Sequence, residues 1–205
     1  MTDAQFWDKI ARKYSLRPIS NVDAYEKTLE RVRSHLGAND SVVELGCGTG
    51  STGLLLSGCV GSYLGTDVSP EMIEIAREKL AETPVDGLRF GVTDAHARDL
   101  GDEEFDAVLG FNLYHLVPDL DGALSRARAL LKSGGLFISK TPCIGRKWYF
   151  RPIIFAMQLI GKAPYLRYLK VNEYDALIRA AGFEIVETGL YPPSAPSRFV
   201  VARKV

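Results

Sequence analysis

Residues 42–50 read Val-Val-Glu-Leu-Gly-Cys-Gly-Thr-Gly, and this stretch decides the fold. Val42 and Val43 suit a buried strand, and Glu44 stands near its end. Gly46, Gly48 and Gly50 then alternate with Cys47 and Thr49, so every second residue of the loop lacks a Cβ. Such a loop brings backbone close to a ligand and takes turns closed to other residues. At the carboxyl end of a first parallel strand, it marks the place where an open α/β sheet binds a nucleotide-like cofactor.

The glycine spacing alone leaves the cofactor open. Gly48, Gly50 and Gly53 also satisfy G-x-G-x-x-G, the dinucleotide fingerprint, which would make the chain an NAD-dependent oxidoreductase. Three neighbouring features point elsewhere. Glu44 stands two residues before the first glycine, where an anionic dinucleotide gains nothing from a carboxylate. Gly65-Thr66-Asp67-Val68-Ser69-Pro70-Glu71-Met72 ends a second strand with an acid and opens a helix. Val92-Thr93-Asp94-Ala95 ends a third strand with another acid. Residues 42–50 resemble motif I of the class I S-adenosylmethionine (SAM)-dependent methyltransferases, and the resemblance extends over residues 40–204. Within that family the motifs are similar to those of the broad group that includes quinone- and sterol-biosynthesis methyltransferases.

The resemblance implies SAM as cofactor and gives each matching residue an expected role. Glu44 would favour the ammonium and sulfonium of SAM, and Gly46, Gly48 and Gly50 would let backbone meet its methionyl part. Asp67 would accept hydrogen bonds from both ribose hydroxyls. Its competing role, a helix N-cap, is already filled by Ser69 with Pro70 at the first helical position. Val68 and Met72 would pack on adenine, although Met72 suits ordinary core equally well. Asp94 and Ala95 would read adenine, the carboxylate through the exocyclic amine and the backbone N–H through a ring nitrogen; Asp94 could instead hold a turn. Asn112, after strand four, would reach the methionyl end or make a turn. Tyr14, with Arg17 nearby, would close over the cofactor from the N-terminal side.

Transfer from a sulfonium is an in-line displacement, so alignment and water exclusion dominate, with positioning contributing roughly 7–11 kcal/mol. A base is needed only for an acceptor that must lose a proton. His115, beside Tyr114 just past strand four, is the candidate, because an unperturbed imidazole is partly deprotonated near neutrality. A structural histidine is the alternative reading, and it is the one given to His35 and His96.

The chain has 205 residues, enough for one domain with a substantial core. Lys plus Arg total 25 and Asp plus Glu total 25, so no basic excess points to nucleic acid. Cys47, Cys59 and Cys143 lack C-x-x-C spacing, which argues against a disulfide framework or a zinc site and fits a reducing cytoplasm. The N-terminus carries no secretion pattern. The apolar run 153–160 falls well short of the roughly 20 residues that span a bilayer, so a soluble protein is expected, with contact at a membrane surface left open.

Helical spacing occupies 4–15 and 22–36. Strands are then expected near 41–46, 62–67, 88–92, 106–112 and 135–140, and helices near 51–57, 70–82 and 119–132. After residue 141 the alternation stops. Residues 143–170 mix Trp148, Tyr149, Phe150, Phe155, Tyr165 and Tyr168 with six basic side chains, Arg146, Lys147, Arg151, Lys162, Arg167 and Lys170. A helix over 173–181 and strands over 183–190 and 198–204 follow. The link 191–196 is too short for a βαβ crossover, so these last strands should pair antiparallel. The expected architecture is a Rossmann-like α/β fold: a seven-stranded, mostly parallel sheet with one antiparallel strand and helices on both faces. It forms a single domain with a helical prologue (1–37) and an aromatic cap (143–170). The expected function is methyl transfer to a small molecule, aromatic or lipophilic if the cap forms the acceptor site. The alternative is a SAM-binding protein without methyl transfer.

Overall fold

The computed structural model describes residues 2–145, 148–194 and 196–205. Arg146 and Lys147 of the basic, aromatic segment, the side chain of Trp148, and Ala195 of the last inter-strand link lie outside the described residues. Seven strands form one sheet: β1 (Ser41–Leu45), β2 (Ser62–Asp67), β3 (Leu88–Val92), β4 (Phe105–Phe111), β5 (Leu131–Pro142), β6 (Phe183–Leu190) and β7 (Ser197–Lys204). Their spatial order is β3-β2-β1-β4-β5-β7-β6. Neighbours from β3 to β5 pair parallel, while β7 runs antiparallel to both β5 and β6. The chain steps outward from β1 to β3 and then returns to place β4 on the other side of β1. The carboxyl ends of β1 and β4 therefore diverge at a topological switch point, where open α/β sheets take ligands.

Strand periodicity divides the core into two layers. Val43, Leu45, Val108, Phe137 and Val200 face one way and pack against helices α5 (Leu120–Ala129) and α7 (Val171–Ala180). Val42, Leu109, Ile138, Phe199 and Val201 face the other way. They meet Leu29 and Val32 of α2 (Val22–Arg33), Leu56 of α3 (Ser51–Leu56), and Ile73 and Ala76 of α4 (Pro70–Glu82). Helix α1 (Asp3–Ser15) lies outside α4, with Ala11 and Trp7 against Met72 and Ile75. A further helix, α6 (Arg151–Leu159), has no buried residue.

Element ends differ from the sequence reading where turn chemistry intervenes. Strand β5 begins at Leu131, earlier than the expected 135, because Leu131 already pairs with Phe105. The register then shifts before Leu136, where Gly134 takes φ +75°. Gly134 and Gly135 thus form an irregularity within the strand.

Candidate cofactor site

A cavity of about 700 Å³ opens at the carboxyl ends of β1, β2 and β4, within the size range of small-molecule sites. Its floor is the glycine loop after β1. Cys47 N–H donates to Thr66 C=O at 2.8 Å, tying the loop to β2. Gly48 N–H and Ser69 N–H donate to opposite oxygens of Asp67 at 2.9 and 3.0 Å. Each carboxylate oxygen retains acceptor capacity, so the two protein bonds aim Asp67 without using it up. Lys79, on α4, holds the loop's far side through Thr49 C=O (3.1 Å), Thr49 Oγ1 (2.9 Å) and Ser51 Oγ (3.0 Å).

Two glycines serve different ends. Gly48 takes φ +55°, and a Cβ there would meet no protein atom within 4 Å. It lines the cavity, so the space that a side chain would fill is ligand space. Gly50 takes φ +74°, but its Cβ would lie 2.6 Å from Phe90 and 2.8 Å from Ala76. Gly50 does not line the cavity; it permits α3 to start tight against α4 and β3. Its packing accounts for a glycine there without reference to a ligand.

Two carboxyls set the electrostatics. Glu44 is 2% exposed, at the end of β1, and accepts from Tyr63 Oη at 2.8 Å. Burial pushes its pKa up to about 7, only partly offset by that hydrogen bond. Burial also raises Asp67, against the lowering effect of the backbone N–H bonds from Ser69 and Gly48. Both acids carry a desolvation cost that a neighbouring cation would relieve. The Cys47 thiol is pushed well up by burial and by these carboxyls, so it is inert.

At the next loop, Asp94 Oδ1 accepts from His96 N–H (2.8 Å) and Ala97 N–H (3.0 Å). Asp94 therefore does shape a turn, while its other oxygen stays free of backbone donors among the described residues. Ala95, Val68 and Met72 complete this end of the cavity. Met72 is also core, buried against α1. Ser69 caps α4, its hydroxyl accepting from Met72 N–H at 3.1 Å and donating to Asp8 Oδ1 of α1 at 2.6 Å. Asp8 further accepts from Glu71 N–H at 3.2 Å. This bridge seats α1 beside the cavity, which Tyr14 and Arg17 border.

The opposite end is formed by α2, β4 and β5. Asn112 lines it in the left-handed region at φ +55°, its N–H donating to Lys140 C=O at 2.8 Å. Asparagine tolerates this conformation better than most residues. Lys140 lines the same end, its ammonium donating to Thr28 Oγ1 at 2.9 Å. Burial lowers the Lys140 pKa, and no carboxylate lies within ion-pair distance among the described residues. Tyr25 Oη and Thr52 Oγ1 share a hydrogen at 3.1 Å nearby. The sequence alone assigns no site role to Lys79, Lys140, Asp8 or Tyr25.

His115, the candidate base, follows β4 at this end. The tight turn Tyr114–Leu116 presents Leu113, Leu116 and Val117 to the cavity, and His115 does not line it. Tyr114 turns into the core, 5.3 Å from Phe137 and 6.4 Å from Tyr174 between ring centroids. The His115 carbonyl accepts from Arg167 N–H at 2.7 Å, and its Nδ1 is buried with no hydrogen-bond partner among the described residues. Burial pulls its pKa down to about 4, so the ring is neutral at pH 7 and a weak base.

No helix is long and apolar enough to cross a membrane among the described residues. Residues 42–135 match the methyltransferase-domain family. A demethylmenaquinone methyltransferase of Staphylococcus aureus is 29% identical over 168 residues, covering 76% of this chain and 68% of that one. A ubiquinone biosynthesis O-methyltransferase of Cereibacter sphaeroides is 29% identical over 159 residues, covering 71% and 61%. A highly reducing polyketide synthase of Emericella nidulans is 35% identical over 136 residues, but the match covers 60% of this chain and only 5% of that protein's length. Among solved structures, a SAM-dependent methyltransferase of Thermotoga maritima superposes with a TM-score of 0.73 at 23% identity, covering 98% of this chain and 99% of the other; it speaks for the fold. The sheet order and the glycine loop at its switch point agree with the family match, and residues 42–135 form a methyltransferase domain.

Proposed function

We propose that the protein transfers the methyl group of SAM to a small-molecule acceptor. The observation that carries this reading is the convergence of Gly48, Asp67 and the Asp94–Ala95 turn on one cavity, with Gly48 leaving open space where any other residue would place a side chain. In this reading Gly46 and Gly48 pass the methionyl part, and Glu44 and Asp67 favour its positive charge from below. Asp67 takes the ribose hydroxyls on its free lone pairs. Val68 and Met72 pack on adenine while Asp94 and Ala95 read its edge. Tyr14 covers the cofactor from α1, and Asn112 faces the methionyl end.

The acceptor belongs at the α2–β5 end, which combines Phe111, Leu113 and Leu116 with the ammonium of Lys140. That lining suits an aromatic or lipophilic molecule carrying an anionic or phenolic oxygen, in keeping with the quinone-pathway relatives. Alignment in an apolar enclosure carries the reaction, since His115 stands outside the cavity. The free thiols of Cys47, Cys59 and Cys143 support a cytoplasmic setting.

Calorimetric titration with SAM and S-adenosylhomocysteine, followed by a mass-shift screen of phenols, quinones and amines, tests the reading. Binding of neither ligand would overturn it. Binding without a gained methyl on any acceptor would favour a second reading, a SAM-binding protein without methyl transfer. That reading draws on the absence of an imidazole from the cavity's acceptor end.

A further inference from the structure

Helix α6 is built inside out. Of its nine residues, only Ile154 and Gln158, one turn apart, are partly covered. Ile153 (59% exposed), Phe155 (60%) and Leu159 (73%) stand in solvent, and Ile160 (65%) continues the patch just beyond the helix. Tyr149, Phe150, Met157 and Tyr165 extend it on either side. Single exposed apolar residues are ordinary, but a contiguous patch of this kind marks an interaction surface.

Charge identifies the partner. Residues 143–170 contain six basic residues and no Asp or Glu, in a chain whose formal net charge is zero, so the remainder carries minus six. Among the described residues, no carboxylate lies within ion-pair distance of Arg151, Lys162 or Arg167. Lys170 has an acidic neighbour, Glu173 at 3.8 Å. Arg151 lies over the Tyr168 ring at 4.9 Å, which fixes its cation at the border of the patch. A second copy meeting this face about a two-fold axis would set these cations against themselves, which is repulsive. A nine-residue helix is too short to cross a bilayer, whose span needs roughly 20 residues.

We propose that the face formed by α6 and its flanks docks onto an anionic lipid bilayer, with α6 lying in the interface. The apolar side chains enter the headgroup–acyl boundary while Arg151, Lys162 and Arg167 meet lipid phosphates. Pro164, in the same segment, lines the cavity, so docking sets the cavity mouth beside the membrane surface. The inference rests on exposure and charge, and it holds whether or not the cavity transfers a methyl group.

Sedimentation with sucrose-loaded vesicles tests it. Vesicles containing about one-third phosphatidylglycerol in phosphatidylcholine should bind the full chain at least tenfold more tightly than phosphatidylcholine alone, and added salt should weaken the binding. Replacing Ile153, Phe155 and Leu159 together by Ser should lower partitioning by about tenfold or more. Lys162→Gln with Arg167→Gln should reduce the preference for anionic lipid severalfold without changing any apolar side chain, so the test survives if the serine variant folds poorly. SAM titration on the same samples separates a failure of docking from a failure of the cofactor site. Equal, negligible binding to both vesicle types would overturn the proposal. So would a lipid-independent dimer in ultracentrifugation that the serine variant abolishes, which would assign the face to a second copy.

Discussion

The glycine loop with α1 and α4, and the segment around α6, border the same cavity but are built on opposite plans. In the first, apolar side chains face inward and the polar groups find protein partners: Asp67 takes two N–H groups, Lys79 binds three oxygens, and Asp8 clips α1 to Ser69. In the second, Phe155 and Leu159 face solvent and Lys162 and Arg167 have no acidic partner among the described residues. Completeness of internal pairing distinguishes surface that serves the fold from surface left for a partner. Changes in the first region should therefore be costly to cofactor binding or stability, and changes in the second nearly free.

The largest expected effect is at Gly48. Gly48→Val should abolish SAM binding while circular dichroism stays native, because the side chain enters the cavity and the left-handed backbone strains a β-branched residue. Unchanged affinity in calorimetry would remove the loop from the cofactor site.

Next comes Glu44, whose folded pKa of about 7 lies above its ordinary value of 4.5. The folded state then binds more protons than the unfolded one, so stability is full below pH 4.5 and is lost as pH rises through 7. Without cofactor the loss should be on the order of 3 kcal/mol, and Glu44→Gln should flatten the profile. Denaturant melts across pH decide; a wild-type profile as flat as the variant's would show that Glu44 titrates normally.

Asp67→Ala should weaken SAM by about 2–3 kcal/mol, since two charge-assisted hydrogen bonds to ribose disappear together. The variant should also discriminate less against a 2′-deoxyribose analogue; equal discrimination would place the ribose elsewhere.

Asp8→Ala should cost about 1 kcal/mol of SAM affinity through looser seating of α1, and a value near zero would show that α1 is not part of the site. The smallest effect belongs to His115→Gln, expected to leave SAM affinity and turnover within about threefold, against the 10²–10⁴ loss of a true general base. A larger drop in turnover alone would return His115 to the chemistry.

The sheet was legible because each of its signals is local. Val42-Val43 before a glycine loop, acids ending the next two strands, and a link after β6 too short for a crossover need no knowledge of distant residues. The site was legible to the same extent: Gly48, Asp67 and Asp94 reach the cavity because each sits at a strand's carboxyl end. The residues that sequence reading missed are held by distant partners. Lys79 reaches back 30 positions to Thr49, Asp8 forward 61 to Ser69, and Lys140 back 112 to Thr28. Gly50 and His115 stand apart from the cavity lining for a related reason. Spacing put them beside the cofactor, but packing against Phe90 and Ala76, and the turn after β4, decided which way they face.

The seating of α1 has a consequence in time. In the proposed reading Tyr14 covers the cofactor, and its release would then require α1 to lift from α4, so that residence would depend on a local opening as well as on contact strength. One clasp on that opening is the pair Arg12–Glu78 (2.5 Å), whose side chains are largely in solvent and therefore screened by salt. We expect the off-rate of SAM, followed by stopped-flow displacement, to quicken with ionic strength and with Arg12→Gln alike. The hinge of this door would then be tuned by the medium around it, at a distance from the chemistry it admits.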